Sequence, residues 1–391
     1  MQRIKEVRPV WVEINLDNLA HNIREVKRIV KPGTLITAVI KADGYGHGAV
    51  QIAKTLIENG ADRLAVATLS EAIQLRRRYE NIPILILGYT PNDSGELVIK
   101  HNIIQTIYSY KQAYHYSQKS KELDDKVKVH IKIDTGMSRL GMKANKETVK
   151  TIKEISNLPN LSIEGIFTHF AVADEADKEF TYGQVEKFKS LCDALENENV
   201  NIPIKHVSNS GAIIDLPDMN YNMVRAGIML YGLYPSNEVD KKKVDLKEVM
   251  SLKARISHVK EIEKGVGVSY GLIYKASKKT KIATLPIGYA DGYTRLLTGK
   301  ARAIIKGKKV PVVGRICMDQ CMVNVTGLDV NIDDEVILFG SDGKNYITID
   351  DVAQSLGTIN YEIVCMISKR VPRVYLEKGK VIDIYDYVLH L

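Results

Sequence analysis

The chain reads as an α/β protein, an N-terminal (β/α)8 TIM barrel followed by a mainly-β domain. Three observations carry this reading. Eight apolar, β-branched runs alternate with helical or loop segments between residues 34 and 230, each connection is long enough for a parallel crossover, and the rhythm changes near residue 244. Beyond that point short strands alternate with Gly, Asp and Lys turns such as Lys306-Gly307-Lys308. An open doubly wound sheet is the alternative to a closed barrel, because pattern alone does not show closure.

Taken in order, a strand near 10–14 and a helix near 16–29 precede the repeat. The eight runs follow at 34–40, 63–67, 83–87, 103–107, 127–133, 162–168, 203–208 and 222–230. In the second half, strands are expected at 253–259, 280–286, 303–305 with 310–313, 321–325, 335–339 and 381–385, and a helix at 349–356. Domains are therefore expected at 1–245 and 246–391, with the strand near 10–14 open to either.

With 391 residues, 45% hydrophobic and 26% charged, the chain is long enough for two cores and has the composition of a globular enzyme. No apolar run approaches the roughly 18 residues of a membrane span, and Met1-Gln2-Arg3-Ile4-Lys5-Glu6 lacks the apolar core of a secretory signal. A cytoplasmic protein without a membrane partner is expected. The net charge of +8 raises the question of nucleic acid, but the basic residues are dispersed and no aromatic-interleaved basic stripe accompanies them. Cys192, Cys317, Cys321 and Cys365 lack zinc-type spacing, so free thiols and no metal are expected.

The first run ends in Ala38-Val39-Ile40-Lys41-Ala42-Asp43-Gly44-Tyr45-Gly46-His47-Gly48-Ala49, which places a lysine at a strand's C-terminal end before a glycine-rich strand-to-helix turn. The glycines alternate and do not have the spacing of a dinucleotide fingerprint. Four other strands also deliver polar groups to this rim. The fifth carries Lys132 and then Asp134-Thr135-Gly136-Met137-Ser138-Arg139; the sixth ends Thr168-His169-Phe170; the seventh ends Ser208-Asn209-Ser210-Gly211. The eighth contains Arg225-Ala226-Gly227-Ile228. Backbone N–H groups after the last two strands commonly hold a phosphate in such barrels. An amine, a phosphate cradle and an arginine aimed into one mouth suggest pyridoxal phosphate. A phosphosugar aldolase would share the first two features; the arginine and the second domain favour the cofactor.

These segments, with Val268-Ser269-Tyr270-Gly271, Gly288-Tyr289-Ala290-Asp291-Gly292 and Gly314-Arg315-Ile316-Cys317-Met318-Asp319-Gln320, resemble the alanine racemase family, in register from about Trp11 to Tyr375. The resemblance implies a homodimer with shared active sites, in which each barrel receives residues from the partner's β domain, and alanine as the small-molecule substrate. It implies Lys41 as the residue that holds the cofactor covalently and as one catalytic base, and Tyr270 as the base on the opposite face. It places Tyr45, Ser210, Gly227, Ile228 and Tyr361 at the phosphate, with Asn209 beside them. His169 and Arg225 extend behind the tyrosine, with Arg225 at the pyridine nitrogen. Arg139, Met318, Asp319 and Tyr289 match the substrate pocket and its entrance, and Lys132 matches a lysine carbamylated in many members.

Inversion at Cα needs a proton to leave one face and another to arrive on the other, which two bases supply. The product implied is D-alanine for peptidoglycan. Serine or broad-specificity racemases of the same fold remain open, because a pocket discriminates one hydroxyl or methylene by only ~1–3 kcal/mol. A fold-related decarboxylase would want a carboxylate at the pyridine nitrogen, and a non-catalytic carrier would stop where the barrel stops.

Overall fold

In the computed structural model, which describes residues 8–389, the eight apolar runs form eight parallel strands of one sheet. They are Leu35–Val39, Arg63–Val66, Ile84–Ile86, Ile104–Ile107, Val127–Asp134, Leu161–Phe167, Ile204–His206 and Met223–Ala226. They pair in chain order, and the eighth pairs back onto the first, with Met223 opposite Leu35 and Ala226 opposite Ala38. No ladder forms between the seventh and eighth. There the Arg225 N–H donates to the Ser208 carbonyl at 3.1 Å, while the Asn222 amide accepts from the Lys205 N–H at 2.7 Å and donates to the Pro203 carbonyl at 2.6 Å. A side-chain amide thus satisfies backbone groups that a missing strand pair would leave open. The barrel is nearly closed.

The described residues divide into two compact units, one made of Leu19–Gly44 and Ala49–Lys247, the other of 8–18, the short segment Tyr45–Gly48 and 248–389. The second unit is built on a sheet that runs, edge to edge, through His258–Ile262, Thr280–Leu285, Cys321–Asn324, Lys308–Val313, Arg302–Ile305, Glu335–Ser341, Met250–Arg255, Val10–Asn15, Arg373–Glu377 and Lys380–Tyr385. Pairing is antiparallel except between Val10–Asn15 and Arg373–Glu377. Trp11, Tyr375, Phe339 and Arg373 are among its fully buried side chains. Two helices, Ile349–Leu356 and Asn360–Met366, belong to the same unit.

Four elements in particular differ from the sequence pattern. The run at 253–259 is two strands, because Met250–Arg255 pairs with Glu335–Ser341 whereas His258–Ile262 pairs with Thr280–Leu285. The run at 222–230 stops being a strand at Ala226, and Ile228–Tyr231 is a 3-10 turn. The helix Asn360–Met366 and the strand Arg373–Glu377 were not anticipated, being too short to show a period. No helix among the described residues is long and apolar enough to cross a membrane.

Candidate active site

Lys41 follows the first barrel strand, and the chain then turns left-handed. Ala42 (φ 50°, ψ 48°), Asp43 (φ 54°, ψ 47°) and Gly44 (φ 62°, ψ 41°) occupy this region in succession. It costs an L-residue roughly 1–2 kcal/mol, so something must offset it at Ala42 and Asp43. The Ala42 N–H donates to Glu71 Oε1 at 2.7 Å, and Asp43 Oδ1 accepts from the Ala49 N–H at 2.9 Å. Glu71 Oε2 accepts from the Ala67 and Thr68 N–H groups at 2.9 and 3.1 Å, completing a capping box on the helix Leu69–Arg76. One carboxylate therefore ties the lysine's turn to the end of the second strand. Glu71→Ala should lower stability by about 1–3 kcal/mol through its lost hydrogen bonds. Its turnover should fall while the fold persists; a urea midpoint and kcat measured on the same preparation check both.

Arg225, on the eighth strand, is 3% exposed. Its Nη1 donates to His206 Nδ1 at 2.8 Å, and its Nη2 donates to His169 Nδ1 at 3.1 Å and to the Thr168 and Val207 carbonyls at 3.0 and 2.9 Å. Its Nε–H has no acceptor among the described residues. Burial, then the charge of Arg139, lowers its pKa to about 9, so it stays a cation at neutral pH. Lys132, in the fifth strand, is buried too, and its Nζ donates to the Ile133 carbonyl at 2.6 Å. Burial and the Arg225 charge push the amine down to about 7, with Arg139 adding to the effect and Asp134 opposing it. Burial likewise holds His169 well below its ordinary value, with Arg225, Arg139, Lys132 and Lys41 acting in the same direction. The barrel mouth is a concentration of positive charge.

After the seventh strand, Asn209 caps the helix Ser210–Asp215 by accepting from the Ala212 N–H at 3.1 Å. Ser210 Oγ accepts from the Gly227 N–H at 3.1 Å, which brings this helix start against the 3-10 turn Ile228–Tyr231. The first N–H groups of both turns lack intrahelical acceptors. The neighbouring Ser208 hydroxyl is buried and has no partner among the described residues. Arg139 is exposed on the loop after the fifth strand, where Asp134 Oδ1 accepts from the Gly136 and Ser138 N–H groups at 3.0 Å each. Gln184 holds the loop after the sixth strand: its Nε2 donates to the His169 carbonyl at 3.2 Å and its Oε1 accepts from the Ala171 N–H at 2.9 Å. The sequence reading missed Glu71, Gln184 and His206. A signal existed for the last, since a polar side chain on an otherwise apolar barrel strand needs a buried partner.

The buried histidines make acid stability predictable. His130, His169 and His206 all have lowered pKa values, with burial as the first cause. Above about pH 6.5 both folded and unfolded histidines are neutral; below it only the unfolded chain takes up protons. Unfolding free energy should therefore decrease as the pH is lowered below about 6.5, by on the order of 1 kcal/mol per unit for each histidine. Glu248, in the β unit, is raised to about 7 by burial and by Asp350, and acts oppositely between about pH 4.5 and 7. Urea unfolding followed by circular dichroism at pH 7.5 and 5.5 checks the balance, and a barrel transition unchanged between them contradicts neutral histidines.

In the β unit, Tyr270 begins the 3-10 turn Tyr270–Leu272 and is 70% exposed. Ser269 before it has φ 66° and ψ −177°, a conformation that is nearly glycine's alone. Its hydroxyl donates to the Arg315 carbonyl at 2.6 Å, pinning the turn. Tyr270 lines a cavity of about 570 Å³ together with Cys317, Met318 and Asp319. Gly288 allows the Met318 loop to approach Tyr289, because a Cβ there would stand 2.2 Å from the Cys317 carbonyl oxygen. The Tyr289 N–H donates to that oxygen at 3.1 Å. Asp319 accepts from Arg370 Nη2 at 2.8 Å. Tyr45 and Tyr361 come together in this unit, with ring centroids 6.1 Å apart, and burial pushes the Tyr45 phenol upward. The residues singled out in the sequence thus form two sets. Lys41, Lys132, Arg139, His169, Asn209, Ser210, Arg225, Gly227 and Ile228 gather at the barrel mouth, and Tyr45, Tyr270, Tyr289, Met318, Asp319 and Tyr361 belong to the β unit.

Comparison with known proteins places this geometry among relatives. Residues 14–235 match the family model for the alanine racemase N-terminal domain, and residues 249–375 match the model for the alanine racemase C-terminal domain. An alanine racemase of Clostridium novyi is 50% identical over 386 residues, spanning 98% of this chain and all of the relative. The solved alanine racemase of Clostridium difficile 630 superposes with a TM-score of 0.94 at 49% identity, covering 97% of this chain and 99% of that one. An alanine racemase from Bartonella henselae, solved with covalently bound pyridoxal phosphate, superposes with a TM-score of 0.84 at 30% identity, covering 94% and 99%.

Proposed function

The chain belongs to the alanine racemase family of isomerases, and on that premise we propose that its barrel mouth binds pyridoxal 5'-phosphate and racemises alanine with Lys41 and Tyr270 as the two bases. The barrel mouth fits this cofactor. Lys41 supplies the amine; Arg225 supplies an Nε–H without an acceptor among the described residues; and the Ser208 hydroxyl, buried without a partner among those residues, precedes the helix start at Ser210, whose hydroxyl meets the Gly227 N–H. When bound, pyridoxal phosphate acidifies the Cα–H of the amino acid attached to it.

The chain's own groups do the rest. Lys41 Nζ moves a proton at one face of Cα, and Tyr270 Oη of a second copy moves one at the other. An ordinary tyrosine titrates near pH 10, so a phenol acting as a base needs positive charge nearby. The guanidinium groups of Arg139 and Arg225 in another copy's barrel mouth provide it, which supports the homodimer with shared sites. The exposed turn that carries Tyr270, with Leu272 and Ile273 beside it, also suits a partner surface. The exposed Arg139 and the Met318 backbone N–H receive the substrate carboxylate, with Asp319 and Tyr289 shaping the approach. Tyr45 and Tyr361 join the phosphate contacts, and the raised Tyr45 pKa keeps its phenol a donor. The near-neutral amine of Lys132 suits carbamylation, which needs an unprotonated nitrogen. The enzyme works in the cytoplasm, and the D-alanine it makes is supplied for peptidoglycan.

The observation that carries the choice of reaction is Arg225 itself. A guanidinium donates a hydrogen bond and leaves a ring nitrogen unprotonated, a weaker electron sink than a carboxylate partner would create, which favours return of the proton to Cα. Incubation with L-alanine in deuterated water tests it. Cα deuteration with D-alanine formation is expected. Loss of carbon dioxide would instead indicate a decarboxylase, and no exchange a carrier.

A further inference from the structure

We propose that Glu164, near the N-terminal end of the barrel, is a positioning residue for Arg225 at its mouth, acting through a one-way chain of hydrogen bonds across His130 and His206. The proposal deepens the reading of Arg225 given above and rests on it for its effect on turnover. The direction of the chain is forced by its ends. A guanidinium has only donors, so His206 Nδ1, 2.8 Å from Arg225 Nη1, must be bare. His206 is fully buried and held neutral, so its proton sits on Nε2. That nitrogen is 2.8 Å from His130 Nδ1, which accepts. His130, also buried and neutral, then carries its proton on Nε2, 3.1 Å from Glu164 Oε2.

The far end accepts only. Burial pushes the Glu164 pKa up, but hydrogen bonds from His130 and Arg63 outweigh it and hold the carboxyl at about 2. Arg63 Nη1 lies 2.5 Å from Oε2, and Lys128 Nζ lies 3.4 Å from Oε1. Arg63 opens the second strand and Lys128 is the second residue of the fifth, so the chain runs from one rim of the barrel to the other. Without the carboxylate, His130 could turn its proton toward His206, whose own proton would then face Arg225, donor against donor.

The surrounding packing is shaped for these rings. A Cβ on Gly165 would stand 2.5 Å from His130 Cε1, so glycine is what leaves room for the imidazole. The Phe167 ring lies parallel to His206, 7° apart in plane and 4.6 Å between centroids, and the Arg225 Cζ sits 5.3 Å from the centre of the same ring. Each imidazole polarised by the carboxylate becomes a better acceptor at Nδ1, which strengthens the next bond along the chain. The sum is felt at Arg225.

The test uses the full-length holoenzyme labelled with 15N-histidine, read by two-bond proton–nitrogen spectra at pH 7. Wild type should show His130 and His206 as neutral Nε2–H tautomers, and an Nδ1–H signal from either overturns the proposal. Glu164→Leu should scramble the His130 tautomer and lower kcat on the order of tenfold with KM unchanged. Glu164→Gln, which keeps an acceptor oxygen, should retain both tautomers and most of the turnover. His130→Leu breaks the chain one link further along and is the second variant should Glu164→Leu fail to fold; it should lower kcat similarly. Unchanged kcat in whichever variant folds overturns the positioning role. The tautomers are read independently of turnover, so a wild-type protein that binds pyridoxal phosphate without racemising alanine would defeat the functional reading and leave the order of the chain decided.

Discussion

Lys41→Ala is expected to abolish racemisation, lowering kcat by on the order of 10⁴-fold or more, as removal of a group that acts at the reacting atoms does in other enzymes. Tyr270→Ala should differ in kind. The family resemblance assigns Lys41 to the D-isomer and Tyr270 to the L-isomer, so with Lys41 intact the variant should still exchange the Cα proton of D-alanine with deuterated water while making almost no L-alanine, because only one face retains a base. Proton magnetic resonance of the alanine methyl and Cα signals reads both results. Exchange of L-alanine at the wild-type rate in Tyr270→Ala would remove that residue from the mechanism. If sites are shared across a homodimer, equal mixing of the two inactive variants should restore about a quarter of wild-type activity, since half the dimers are hybrids with one intact site each. A mixture as inactive as its parents argues against sharing.

The second large effect concerns stability. Arg373 is 1% exposed, and its guanidinium donates to four carbonyls: Gly46 at 3.0 Å, Ser368 at 2.7 Å, Val371 at 2.5 Å and Ile367 at 2.9 Å. Tyr375 Oη donates to the neighbouring His47 carbonyl at 3.1 Å. Together they hold the segment Tyr45–Gly48, which contains one of the phosphate tyrosines, within the β unit. Arg373→Leu strands these acceptors in an apolar setting and should cost about 4 kcal/mol. Lysine should not rescue it, because a single ammonium cannot span acceptors on both sides as a planar fork does. Urea unfolding measures the loss, and a shift below about 1 kcal/mol would mean that water replaces the guanidinium.

Much of this was legible in the residues. Eight runs of Val, Ile and Leu became eight barrel strands because a parallel strand covered on both faces must be apolar along its length. Polar residues at strand ends drew attention to Lys41, His169, Asn209 and Arg225, and the structure gathers them at the barrel mouth. The exceptions within the strands were the informative ones: His130, Glu164 and His206 each interrupt an apolar run, and each has a partner from a different strand.

The sequence by itself determined the eight alternating strand units, the β-rich second half and the chemical types at the mouth, because hydrophobic period and strand-end polarity are local properties of the chain; closure of the sheet on itself was decided by the pairing of the eighth strand with the first. Only the tertiary structure decided that Ala42 and Asp43 turn left-handed on the Glu71 carboxylate, that Val10–Asn15 pairs within the β sheet, and that a donor-only arginine and an acceptor-only glutamate fix the protons between them. Those features depend on groups tens to hundreds of residues apart, and a hydrogen bond has a direction and a length that no one-dimensional pattern encodes.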